Sequence, residues 1–142
     1  MLDDNLEGYG FKGVRDSSGY DHPRFILDYD EVNETALIVN ASTYLPEYAR
    51  VTDQTYLLDQ NDHSLLQHTS YLRFRDAEIW PKQRFLRMHK DKIILVKEKL
   101  SKDTIADIKE KLRYVDSNRY EICLNHLEES FKSKKLLEKE NA

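Results

Sequence analysis

The segment from residue 65 to residue 75 carries side chains that could act on a charged substrate. After two leucines it supplies an imidazole, two hydroxyls, a phenol and two guanidiniums: His68, Thr69, Ser70, Tyr71, Arg73 and Arg75. Guanidiniums bind phosphate through paired hydrogen bonds, and imidazole exchanges protons near neutral pH. The segment therefore has the groups needed to bind a phosphate and to move a proton beside it.

Two other segments carry groups of the same kind. Residues 22–24 supply a histidine and an arginine around Pro23, and residues 42–43 supply two adjacent hydroxyls. We expect these two segments and residues 68–75 to converge on one anion-binding pocket.

The elements that must position these residues are mainly strands. Leu72 and Phe74 alternate with polar residues, which is the period of a half-buried strand. Eight segments are candidates for short strands, of which we expect five or six to form: residues 11–14, 24–29, 35–41, 55–58, 71–75, 78–81, 84–88 and 92–96. The first two apolar runs after Pro23 are joined by a short polar turn, so we expect them to form an antiparallel hairpin.

From Ser101 the apolar period becomes helical. One stripe consists of Ile105, Ile108, Leu112 and Val115, and either Ser101 or Asp103 can cap this helix. A second helix is predicted from Ser117, with one face formed by Tyr120, Leu124, Leu127 and Phe131. Five or six short strands followed by two helices predict an α+β, mainly β fold: a small antiparallel barrel or a strongly bent sheet with helices at one end.

Length and composition indicate one domain with a helical extension. The chain has 142 residues, of which 39% are apolar and 34% charged. No apolar run approaches the ~20 residues that span a bilayer, and the acidic start at Asp3 is unlike a signal peptide. The single cysteine, Cys123, fits a reducing compartment. We therefore expect a cytoplasmic protein that does not engage a membrane.

Charge is distributed unevenly along the chain, whose net charge is −4. Residues 1–72 contain 4 Lys/Arg against 13 Asp/Glu, whereas residues 73–102 contain 10 against 4. The basic block could contact a polyanion, or its side chains could keep exposed strand edges from pairing with other chains.

The spacing of the potential metal ligands does not match a known site. His63 and His68 are five residues apart on a predicted strand and loop, a spacing that fixes no ligand geometry, and no thiol accompanies them. Cys123 falls on an apolar helical stripe, so we expect it to be inert. We predict no metal and no cofactor.

Four segments, taken in order, resemble the PemK/MazF toxin family. The run His22-Pro23-Arg24-Phe25-Ile26-Leu27 is similar to that family's Arg-Pro-apolar start, and Asn40-Ala41-Ser42-Thr43 resembles its strand end with a functional Ser/Thr. The run Gln67-His68-Thr69-Ser70-Tyr71 enters a late strand. Finally, Lys99-Leu100-Ser101 is similar to the family's Gly-Lys-Leu-Ser helix start, with Glu98 in place of the glycine. The resemblance covers roughly residues 20–115.

This resemblance implies an SH3-like β-barrel with a closing helix over residues 22–116. A flexible or turn-rich segment, residues 1–21, would precede the barrel, and a helical extension, residues 117–142, would follow it. The family further implies a homodimeric toxin of a type II toxin–antitoxin system. Its activity would be metal-independent endonucleolytic cleavage of single-stranded RNA, and a cognate antitoxin would neutralise it.

Roles for individual residues follow from the needs of RNA cleavage without metal, which are a base, an acid and groups that stabilise charge on the phosphate. We expect Arg24 to stabilise the phosphate and either Ser42 or Thr43 to donate to one of its oxygens. Either His22 or His68 would transfer the proton.

The remaining candidates are expected to bind the RNA chain. Arg73 and Arg75 would hold flanking phosphates, Tyr44 or Tyr71 could stack on a base, and Ser70 would contribute a hydroxyl. Each of these residues also has a purely structural interpretation, such as a turn, a surface charge or core packing.

Two other functions remain open from the sequence. The chain could be a non-catalytic SH3-like barrel that binds a protein or nucleic-acid partner, for example one encoded by a mobile element. Alternatively, residues 117–140 could form a helical module that pairs with a partner or with a second copy of the chain.

Overall fold

The computed structural model describes residues 2–14, 22–45, 56–113 and 120–140. Among these residues nine strands and helices follow one another: β1 (Tyr9–Gly13), β2 (Arg24–Asp30), β3 (Thr35–Thr43), β4 (Leu57–Leu58), β5 (Ser70–Pro81), α1 (Lys82–Lys90), β6 (Ile94–Lys99), α2 (Lys102–Leu112) and α3 (Glu121–Glu140). A 3-10 turn, Gln60–Asp62, follows β4. The prediction of an α+β, mainly β fold is confirmed.

The six strands form one antiparallel sheet in the order β4-β5-β3-β2-β1-β6, curled into a half-barrel. The curl brings the loop after β4 to the opposite edge strand, β6. There Nε2 of His63 lies 2.6 Å from the backbone oxygen of Glu98, and the Ser64 hydroxyl donates to the Glu98 carboxylate. These contacts join the two edges of the sheet beside Glu98.

Two apolar clusters lie on opposite faces of the sheet. The first packs beneath α2 and α3 and includes Phe25, Val39, Leu72 and Ile108. The second lies on the α1 side, where Phe11, Ile26, Ile38, Trp80 and Phe85 are all buried. Because neighbouring residues of a strand point to opposite faces, both faces of β2 and β3 are covered by apolar packing.

A β-bulge in β2 changes which side of the sheet its residues face. Ile26 faces Ile38 and Asp28 faces Leu37, so Leu27 is an extra residue in β2. Leu27 and the next residue, Asp28, consequently both lie on the side of the sheet that α2 and α3 cover. A carboxylate is thereby placed inside the fold.

The predicted strand at residues 84–88 is wrong, because this segment belongs to α1. Its Lys, Gln, Arg, Leu and Met residues favour helix. Pro81 precedes the first turn, where a proline leaves no helical hydrogen bond unmade. Phe85 is the one residue of α1 that is fully buried, and the partly buried Leu86 and Met88 lie on the same side of the helix, against the second cluster. The strands predicted at 71–75 and 78–81 are a single strand, β5.

The α2 helix agrees with its prediction. The Ser101 hydroxyl accepts a hydrogen bond from the backbone N–H of Thr104 at 3.1 Å, so Ser101 is the N-cap. Ile105, Ile108 and Leu112 are buried, as expected. Val115 and the predicted helix start at Ser117 lie outside the described residues, as do residues 15–21 and Thr55.

The α3 helix buries only part of the face predicted for it: Tyr120, just before the helix, is buried, and Leu124 and Leu127 pack partly against the first apolar cluster. Its buried positions include Cys123, His126, Ser130 and Ser133. Phe131, by contrast, is 56% exposed. The sheet beneath α3 offers polar groups, so polar side chains face inward. No helix in the part of the chain that the structure describes is both long and apolar enough to cross a membrane.

Candidate active site

A cleft of about 310 Å³ lies at one end of the half-barrel. Its polar lining includes Lys12 of β1, His22 before β2, Thr43 at the end of β3, and His68 and Ser70 where β5 begins. Both imidazoles and the Thr43 side chain are exposed, whereas Ser70 is buried. The cleft therefore offers proton-transfer groups to solvent.

Strand register explains why these distant residues meet. In the β3–β5 ladder Thr43 faces Ser70, and the backbone N–H of Ala41 donates to the Pro23 oxygen at 2.8 Å. β1 pairs with the start of β2, which brings Lys12 to the same end of the sheet. Four separate segments thus form one cleft.

The main chain around His68 is fixed by two hydrogen bonds. The Ser70 hydroxyl donates to the backbone oxygen of His68 at 2.9 Å, and the Tyr44 N–H donates to the Thr69 oxygen at 2.8 Å. Since the Ser70 proton is already engaged, Ser70 holds the His68 backbone in place rather than donating to a ligand.

The ionisable side chains that line the cleft favour the binding of an anion. One ammonium and two imidazoles are among its lining residues, and none of the described residues that line it is a carboxylate. Pro23, Leu65 and Leu66 form apolar walls, and Gln67 adds an amide. Such a mixture of apolar walls and a few polar groups is common in small-molecule and nucleotide sites.

Two of the three arginines that were expected to bind phosphates form ion pairs elsewhere. The Arg24 guanidinium lies 3.8 Å from the Glu78 carboxylate and 5.6 Å from the centre of the Trp80 ring. Arg73 forms an ion pair with Asp76. Neither arginine lines the cleft.

Alternation along the strands separates the other candidates from the cleft. Ala41 and Thr43 line the cleft, so Ser42 between them points to the other face of β3, and Tyr71 is directly opposite Ser42 on β5. Arg75 is an exposed residue of β5. The structure brings together His22, Thr43, His68 and Ser70, and it does not bring Arg24, Ser42, Tyr44, Tyr71, Arg73 or Arg75 into the cleft lining.

Lys12 and Gln67 line the cleft but were not among the site residues predicted from the sequence. Lys12 was on a predicted strand, but only the pairing of β1 with β2 and β6 shows which end of the sheet it occupies. Gln67 precedes His68 directly, and this adjacency was the one available signal.

A buried polar network, also missed from the sequence, joins the sheet to α2 and α3. The Asp28 carboxylate, fully buried, accepts from Nδ1 of His126 and from Nζ of Lys109, each at 2.9 Å. The second ring nitrogen of His126 lies 3.2 Å from the Thr35 backbone oxygen, and Lys109 also pairs with Glu7.

Electrostatic interactions keep Asp28 and Lys109 of this network charged. Burial raises the pKa of Asp28, but the hydrogen bond from His126 and the charge of Lys109 outweigh it and lower that pKa below its ordinary 3.8. Burial lowers the pKa of Lys109, but Asp28 and Glu7 outweigh it and raise that pKa above 10.5. Contacts occupy both ring nitrogens of His126, so the network is suited to holding α3 in place rather than to acting on a substrate.

His63 and Cys123 carry groups that could be reactive, but both have structural roles. The His63 ring is buried edge-on against Phe25, with a centroid distance of 5.0 Å, and its Nδ1 accepts from the Leu65 N–H. Burial raises the pKa of the Cys123 thiol to about 12, so this thiol is not a nucleophile at neutral pH. Among the described residues no group of three His, Cys, Asp or Glu side chains could hold a metal ion.

Comparison with known proteins adds no relative. No family model matches this chain, and no curated protein matches it. The resemblance to the PemK/MazF family therefore stays a prediction from the residues quoted above.

Proposed function

We propose that this protein is a metal-independent endoribonuclease that cleaves single-stranded RNA in the cleft between His22 and His68. The observation that carries this proposal is the composition of the cleft. Two exposed imidazoles, the Lys12 ammonium and the Thr43 hydroxyl come from four separate segments, and the described lining contains no carboxylate.

The reaction needs no group beyond these. One imidazole, as the free base, removes the proton of a ribose 2′-hydroxyl, and the 2′-oxygen attacks the adjacent phosphorus. The bond from phosphorus to the 5′-oxygen breaks, and the second imidazole, as its conjugate acid, gives a proton to that oxygen. The products are a 2′,3′-cyclic phosphate and a free 5′-hydroxyl.

Charge on the phosphate oxygens increases during attack, and fixed donors stabilise it. In this proposal Lys12 takes the role that the sequence analysis gave to Arg24, because Arg24 is paired with Glu78 outside the cleft. Thr43 donates a second hydrogen bond to the phosphate. Ser70 contributes indirectly, by holding the backbone of His68.

The biological role that accompanies this activity is that of a cytoplasmic toxin. The resemblance to the PemK/MazF family supports a type II toxin–antitoxin system, an SH3-like barrel and a cognate antitoxin as the partner. An antitoxin that covers the cleft would block access to His22 and His68.

Digestion of single-stranded RNA in excess chelator tests the proposal. We expect the wild-type chain to cut RNA under these conditions, and His22→Ala or His68→Ala to reduce the rate by at least about 100-fold. His89→Ala is the matched control, since His89 is an exposed histidine on α1 and does not line the cleft. Intact RNA after prolonged incubation with folded wild-type protein would exclude the activity.

A second function, a non-catalytic barrel that binds a protein or nucleic-acid partner, is favoured by one observation. Arg24 and Arg73 are neutralised by Glu78 and Asp76 within the chain, which reduces the positive charge available to hold RNA. Binding of an uncleaved RNA or of a protein, without any digestion, would decide for this alternative.

A further inference from the structure

Three apolar residues of α3 that the rest of the described chain covers only in part border a groove beside α2. This groove has a volume of about 490 Å³, and its apolar side consists of Leu124, Leu127 and Phe131. Leu124 and Leu127 are half-buried, and Phe131 is 56% exposed. Leu124 and Leu127 pack with one side against the apolar cluster beneath α2 and α3, and because His126 and Ser130 occupy the inward positions, the other side of both leucines and most of Phe131 stay exposed.

The charges of α3 change sign along its length. Residues 121–131 contain three glutamates and no lysine or arginine, whereas residues 132–140 contain four lysines and two glutamates. This polarity suits the dipole of the helix itself. It also means that two such helices attract each other when they run antiparallel, since each acidic half then faces a basic half.

We propose that two copies of this chain associate through α3, in an antiparallel pair related by a two-fold axis beside Phe131. The pair covers Leu124, Leu127 and Phe131 of each copy with the same face of the other, as a two-fold interface requires. Charge complementarity selects a second copy as the occupant, because the acidic and basic halves of α3 are brought together only in this antiparallel arrangement.

One ion pair fixes the register of this arrangement. Glu128 and Lys135 are seven residues apart, so they lie two helical turns apart on the same flank of α3, before and after Phe131. In an antiparallel pair the same flanks of two helices meet. Glu128 therefore faces the partner's Lys135, and Lys135 faces the partner's Glu128.

Within one chain, Glu128 and Lys135 contact other residues and not each other. Glu128 pairs with Lys132 at 3.4 Å, and the Lys135 ammonium lies 4.8 Å from the centre of its own Phe131 ring. Glu128 and Lys135 are about 10 Å apart along the helix and cannot reach each other directly. An energetic coupling between these two positions would consequently report contact between copies.

Sedimentation velocity of the full chain over a range of micromolar concentrations tests the proposal. We expect a reversible dimer whose dissociation constant rises at least about tenfold in Phe131→Ser, because that side chain lies at the centre of the interface. Leu136→Ser is the control: Leu136 is 52% exposed on a different flank of α3, and its loss should leave the dissociation constant unchanged.

Charge reversal then tests the register. Glu128→Lys and Lys135→Glu should each weaken the dimer, and the double variant should restore it to near the wild-type dissociation constant. A wild-type chain that is monomeric throughout, a dimer insensitive to Phe131→Ser, or a double variant no tighter than the single variants would each overturn the proposal. Circular dichroism of every variant confirms that it is folded.

Discussion

Nδ1 of His126 lies 2.9 Å from the buried carboxylate of Asp28, although the two residues are 98 positions apart in the chain. This contact links α3 to β2. Nζ of Lys109, on α2, lies 2.9 Å from the other oxygen of the same carboxylate. Three elements therefore depend on one carboxylate, whose placement follows from the β-bulge at Leu27.

Replacing Asp28 by Asn should destabilise the fold by about 3 kcal/mol, because it removes the buried carboxylate that pairs with Lys109 and hydrogen-bonds to His126. Equilibrium denaturation by urea measures this as a lower midpoint. Asp76→Asn is the control, since it removes a half-exposed partner of Arg73 and should change the free energy of unfolding by less than about 0.5 kcal/mol. Equal effects of the two variants would contradict the importance of the buried network.

The contribution of Asp28 should disappear in acid. Its pKa in the folded chain is below the ordinary 3.8, so between these two values the unfolded chain binds more protons and stability rises with pH. The stabilisation is therefore present above pH 3.8 and is lost as pH falls through the folded pKa. We expect the difference in free energy of unfolding between wild type and Asp28→Asn to shrink from pH 7 towards pH 2.5. A constant difference would show that Asp28 is not charged in the folded chain.

Gly10 should not tolerate a side chain. A Cβ at this position would lie 2.5 Å from the His63 ring and 2.9 Å from the Phe25 ring. Gly10→Ala should cost about 1–3 kcal/mol in the free energy of unfolding, because both rings are buried and cannot move freely. In a double-mutant cycle, His63→Ala should relieve part of that cost, and strictly additive effects would contradict the contact.

Much of the fold was predictable from local pattern, and the errors have identifiable causes. The hairpin of β2 and β3 and the α2 helix with its Ser101 cap follow from short-range signals. The α1 helix was mistaken for a strand because it is only nine residues long, and its three apolar residues, Phe85, Leu86 and Met88, are too few to show a helical period. The inward face of α3 depends on Asp28, and no local signal in α3 indicates a carboxylate in a distant strand.

The candidate site was predictable only in part, for a similar reason. His22, Thr43 and His68 were chosen for their chemistry, and their meeting at one cleft depends on strand order. Lys12 could not be chosen, because its position depends on β1 pairing with both β2 and β6. The charge pairs of Arg24 and Arg73 are tertiary contacts that spacing alone does not specify.

Lys12 should matter to catalysis more than Arg24. If Lys12 stabilises charge on the phosphate, Lys12→Ala should lower kcat/KM for RNA cleavage by about 100-fold, and Lys12→Arg should retain part of the activity. Arg24→Ala should have a smaller effect, because Arg24 lies outside the cleft lining. Steady-state cleavage of a short labelled oligonucleotide checks this, with Lys90→Ala at the exposed end of α1 as the control. A larger loss in Arg24→Ala than in Lys12→Ala would reverse the assignment.

The most direct measurement of the central claim is the chemistry of the cut ends. A labelled RNA oligonucleotide is incubated with the protein in chelator, beside the same oligonucleotide carrying a single 2′-deoxyribose on the 5′ side of the cleaved bond. The proposal predicts a 2′,3′-cyclic phosphate and a 5′-hydroxyl from the first substrate, no cut at that bond in the second, and loss of cleavage in His68→Ala. Cleavage of the deoxy-substituted bond, or 5′-phosphate ends, would contradict a reaction that begins at the 2′-hydroxyl.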